Sequence, residues 1–164
     1  MRRRALLDVV AALRDLHRAL AERVRSDCER ERHALVAPDE FLHLLVAEPR
    51  LGWLRSLSEL MVDLDVLLKA DPSPTEDEAA AVRAEIECLL GAREAAGLGS
   101  ALGEFAQHHR RYAADDPRVA EARSAVERAI RGLPEAASVD MAQVLHERHR
   151  WAEVRRHRRP GTHP

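Results

Sequence analysis

Apolar residues recur along this chain in steps of three and four. Leu54, Leu57, Leu60/Met61, Leu64 and Leu67/Leu68 form one continuous stripe, which predicts a helix from about Leu51 to Ala70. Arg55, Glu59, Asp63 and Lys69 fall away from the densest line. Such a stripe is stable in water only when it packs against other helices. A longer stripe runs through Leu6, Val9/Val10, Leu13, Leu16/His17, Leu20, Val24 and Leu35, with Cys28 beside it. It predicts a first helix from about Arg4 to Leu35. The stripe thins after Val24, where Asp27, Glu29, Arg30, Glu31 and Arg32 crowd in. That half is expected to project past the core or to cover it at low density.

Breaks divide the rest. Pro38-Asp39-Glu40 marks a helix start, since proline loses nothing in a first turn and acids complement the positive end of the dipole. This short second helix carries Phe41, Leu42, Leu44 and Leu45 and stops at Pro49. After Asp71-Pro72-Ser73-Pro74, either Ser73 with Glu76 or Thr75 with Glu78 caps a fourth helix. That helix carries Val82, Ile86 and Leu89/Leu90, and Gly91, Gly97, Gly99 and Gly103 loosen the stretch beyond it. A fifth helix is expected from about Ala101 to Ala114. A sixth, opened by Asp115-Asp116-Pro117, carries Val119, Ala122, Val126, Ile130 and Leu133. A last amphipathic segment, about Val139 to Arg158, is anchored by Met141, Val144/Leu145 and Trp151.

The pattern predicts an all-α protein with a four-helix-bundle-like core, a short second helix and a loosely packed C-terminal helix. The expected division is a helical bundle over 1–135, a basic amphipathic helix over 136–159 and a disordered tail over 160–164. Composition agrees. Aromatics make up 3% of the 164 residues, and a sheet would want more of them and of β-branched residues. A chain of this length buries about 70% of its unfolded surface without a disulfide or metal. Cys28 and Cys88 lie far apart in no Cys-x-x-Cys pattern and are expected to be reduced thiols.

The net charge of −2 demands no polyanionic partner. Lys69 is the only lysine among 26 basic side chains. Arginine therefore fills ordinary solvent positions here, and any single arginine is weak evidence of a binding site. Asp8 interrupts the apolar start, so that segment reads as helix rather than as a targeting signal. Uncharged stretches fall far short of the ~20 residues that span a membrane. A cytoplasmic protein without membrane contact is expected.

The segment Trp53-Leu54-Arg55-Ser56-Leu57-Ser58-Glu59-Leu60, preceded by Phe41 to Pro49, resembles a signature of small bacterial all-helical proteins to which no activity is attached. Leu16-His17-Arg18-Ala19-Leu20 resembles their first helix. The likeness covers about the first 70 residues. It departs at Ser56, where those proteins carry proline, and at Leu51-Gly52, where they carry an aromatic residue and alanine. It implies a helical fold and contributes no catalytic residue.

Histidine is the residue type that could carry chemistry. Helical bundles build metal sites from paired Glu-x-x-His motifs, and Glu40-x-x-His43 is the one such motif in the chain. His17 lies in the stripe of the first helix, where a buried ring needs a partner. Asp63 and Asp65 on the third helix are the expected partners. His108 and His109 are adjacent, so only one can face the core. His17, His43, Glu40 and His108 are therefore the candidate metal ligands, although no cofactor is called for. The run from His146 to Arg159 carries Arg148, Arg150, Arg155, Arg156, Arg158 and Arg159 around Trp151. Those seven residues are the expected partner-binding set, against the simpler reading of a solvated tail. They could meet nucleic acid or an acidic protein, but the run lacks interleaved aromatics for base stacking. No nucleophile motif or phosphate-cradling loop is present. The expected function is non-enzymatic binding of another macromolecule, as a protein-interaction or regulatory module, with a homodimer as one form. A metal- or cofactor-binding bundle is the alternative, and nonspecific nucleic-acid binding through the basic tail is a weaker one.

Overall fold

In the computed structural model the described residues are 1–70, 73–92 and 100–135. They form six α-helices and one 3₁₀ turn, and no strand occurs among them. The helices are α1 (Arg2–Arg32), α2 (Pro38–Ala47), α3 (Leu54–Ala70), α4 (Glu76–Leu89), α5 (Ser100–Asp115) and α6 (Pro117–Ile130). The 3₁₀ turn, Pro49–Leu51, links α2 to α3. The protein is all-α. The expected helix from about Val139 to Arg158 lies outside the described residues.

The stripe on α1 is the axis of the packing. Leu6, Val9, Leu13, Leu16 and Leu20 are fully buried. α1 meets α6 most extensively, then α3, and also touches α4 and α5. The stripe on α3 is likewise buried from Leu54 to Leu68, with Met61 partly covered. Polar groups then tie the first half of α1 to the C-terminal part of α3. Arg3 donates to the Leu68 carbonyl at 2.8 Å, which places a cation on the negative end of the α3 dipole. Arg14 pairs with Asp65 at 3.0 Å.

Of the two alternatives for the second half of α1 the structure has the second, and the expected end of the helix is corrected. After Val24 the stripe thins to Cys28, which is buried, so this half covers the core at low density and does not project past it. Beyond it the last turn is held by ion pairs, Arg32 with Glu40 at 2.8 Å and Arg50 with Glu31 at 2.6 Å, so it does not project unsupported. The helix also ends before Leu35. His33 turns left-handed at φ 53° and closes the last turn onto the Glu29 carbonyl. The Glu29 carboxylate then accepts the Val36 N–H at 3.2 Å. Val36 therefore enters the core, and Leu35 is thrown outward.

At α4 the structure selects the second of the two predicted caps. Thr75 Oγ1 accepts the Glu78 N–H at 3.2 Å, and Glu78 Oε2 accepts the Thr75 N–H at 2.9 Å. Asp116 opens α6 by accepting the Arg118 N–H at 2.9 Å, with Pro117 in the first turn. Thr75→Ala removes one half of a reciprocal cap. It is expected to lower unfolding stability by about 1 kcal/mol, measured as a shift of the urea midpoint without change of slope.

Candidate functional site

α2 is apolar on both sides. Phe41 and Leu44 face the core. Leu42 and Val46, one helical turn apart, are 65% and 76% exposed, and Leu35 beside the helix start is 90% exposed. Sequence reasoning placed Leu35 on the core stripe and grouped Leu42 with the core residues of α2; both instead face solvent. Charged residues edge this surface. Arg32 bridges to Glu40 at 2.8 Å and to Glu48 at 3.6 Å, and Arg50 bonds Glu48 at 2.9 Å. The surface thus has an apolar centre and a paired, polar edge. Scattered single leucines on a surface need no explanation, but a solvent-facing stripe opposite a buried one does.

The four candidate metal ligands do not converge. His17 Nε2 lies 2.9 Å from Ser58 Oγ. The Ser58 hydroxyl donates to the Leu54 carbonyl at 3.4 Å, so its oxygen is placed to accept Nε2–H. The expected helix supplies the partner, but through Ser58 rather than either aspartate. Asp65 is engaged by Arg14, and Asp63 is itself buried. Burial lowers the His17 pKa. His43 is exposed, and Glu40 is bonded to Arg32. His108 stacks on Trp53, with ring centroids 5.0 Å apart and planes at 9°. Among the described residues, no group of three or more His, Cys, Asp or Glu side chains is placed to hold a metal ion. Arg148, Arg150, Trp151, Arg155, Arg156, Arg158 and Arg159 lie outside the described residues.

Of the two adjacent histidines, the core takes His109. It is fully buried, and neither ring nitrogen has a hydrogen-bond partner among the described residues. Its ring lies against Phe105, with centroids 5.6 Å apart and planes at 10°. Phe105, His109 and Tyr112 follow the spacing of one helix face, so the periodicity could have singled it out. Burial pulls its pKa down to about 4. The Arg123 charge pushes the same way, Glu127 opposes, and Arg110 adds to the depression.

No protein-family model, curated protein or solved structure matches this chain. No helix among the described residues is long and apolar enough to cross a membrane.

The depressed His109 pKa makes stability depend on pH. The unfolded ring titrates near its ordinary 6.5 and the folded one near 4, so between these values the unfolded chain binds more protons. The stabilisation is complete above the unfolded value and is lost as pH falls toward 4. It amounts to about 3 kcal/mol, and His17 adds a contribution of the same sign. In urea unfolding followed from pH 7 down to 4, His109→Leu should flatten this fall and be at least as stable at pH 7. A variant that retains the full fall would contradict the assignment to His109.

Proposed function

We propose that this chain is a non-enzymatic interaction module of the cytoplasm whose α2 docks on another protein, and that the partner is a second copy of the chain. The observation that carries this reading is the solvent-facing pair Leu42 and Val46, opposite the buried Phe41 and Leu44. The order of charges favours self-pairing. Asp39 opens α2 and Arg50 follows its end. Two copies laid antiparallel about a twofold axis bring Asp39 of one toward Arg50 of the other; Arg50 is already held by Glu31 and Glu48, so this charge order fixes register and the apolar pair supplies the contact.

The size of the patch sets the strength. Ten residues of helix span about 15 Å, which covers less than the ~800 Å² per partner of a standard interface. The dimer is therefore expected to be weak and reversible, forming in the micromolar to millimolar range. Sedimentation equilibrium of the full chain should show a concentration-dependent monomer–dimer distribution. Leu42→Glu/Val46→Glu should shift it to monomer and leave the helical circular dichroism and its melting unchanged, because both side chains already face water. A wild-type chain that stays monomeric at about 1 mM, or a double variant that dimerises equally, would overturn the proposal.

A further inference from the structure

A cavity of about 170 Å³ opens between the end of α1, the 3₁₀ turn and α5. Val24, Cys28, Leu51 and Trp53 form its apolar side, and all four are buried. Cys28 contributes bulk rather than reactivity, because burial pushes its thiol pKa up and keeps it protonated. From α5 come the rings of His108 and Tyr112, both stacked on Trp53.

The charged groups around this space are not equivalent. Asp27 is bonded to Arg30 at 3.0 Å, is paired with Arg23 at 3.3 Å and lies against the Tyr112 phenol. Glu31 is held by Arg50 at 2.6 Å. Both carboxylates at the cavity are thus already neutralised by arginines of the same chain. Arg111 also lines the cavity and makes no ion pair among the described residues. Arg50, which also lines the space, is taken up by Glu31 and Glu48, so the uncommitted charge among the described lining residues is the positive Arg111. A guanidinium in that position recognises a planar oxyanion through two parallel hydrogen bonds.

We propose that this cavity binds a small organic carboxylate, with the carboxylate on Arg111 and a compact apolar body against Leu51, Val24 and Trp53. The volume limits the ligand. Typical small-molecule sites enclose about 300–1,000 Å³, so this one admits a single ring or a short branched chain. A ligand of about nine heavy atoms reaches dissociation constants in the micromolar to millimolar range. Because Arg111 is exposed, affinity falls as salt rises. The site does not require the α2 dimer.

The test uses the full chain with Trp151→Phe, which leaves Trp53 as the only tryptophan of the two. Benzoate, benzyl alcohol and benzylamine are titrated while Trp53 emission and amide NMR shifts are followed. Benzoate is expected to give a saturable change, with shifts concentrated at residues 24–31, 50–53 and 108–112. The alcohol and the amine are expected to bind at least about tenfold more weakly. Arg111→Gln, with an unchanged melting curve, is expected to weaken benzoate by a similar factor. Any one of three results would overturn the proposal: no saturable response to benzoate at about 20 mM, binding of benzylamine as tight as benzoate, or full retention of benzoate affinity in Arg111→Gln.

Discussion

One indole gathers the ring-bearing face of α5. Trp53 sits just ahead of α3 and is 3% exposed. It meets Phe105 at a tilt of 53° with centroids 5.6 Å apart, His108 stacked at 5.0 Å and Tyr112 stacked at 5.7 Å. These three rings come from successive turns of α5, so a single side chain spans two turns at the middle of that helix. Each such ring pair contributes about 0.5–1.5 kcal/mol beyond the area it buries. Around this cluster α5 packs most extensively on α6, then on α4 and α3, and least on α1.

Gripping that face decides what its neighbours do. Successive residues on a helix point about 100° apart. With His108 against Trp53, His109 must turn inward under α6, where Arg123 and Glu127 lie near it. A ring with two unpaired nitrogens costs about 1–3 kcal/mol per unmade bond. The arrangement persists because Phe105 and Tyr112 set the register of the helix. The same register carries Arg111 to the cavity at the end of α1. No comparable contact covers α2. Its inner side is sealed by Phe41 and Leu44, and its outer side stays open. At the proposed interaction surface two large apolar side chains one helical turn apart are left uncovered by their own chain.

The helical class was legible wherever periodicity ran unbroken. The stripes from Leu6 to Val24 and from Leu54 to Leu68 are buried as their spacing implied. The cap at Thr75 and Glu78 and the start at Asp116 and Pro117 were legible because each is a local device with its own residue signature. Leu35 misled, since spacing alone does not show that His33 leaves the helix through a left-handed turn. The outward side of α2 was hidden for a related reason. On a short helix with apolar residues all round, periodicity does not say which side the core will take. For His17 the spacing pointed to the correct helix but too far along it, because Ser58 meets the ring where the aspartates do not. The ion pairs of Arg50 include one to Glu31, distant in sequence, and no local pattern announces it.

The sharpest test of this grip is hydrogen exchange on Trp53→Ala. Amides of α5 between residues 103 and 115 are expected to lose protection first and most, while the core turns of α1 and α3 keep the larger part of theirs. Equal loss across all three helices, or α5 protection that survives the substitution, would contradict the role given to Trp53.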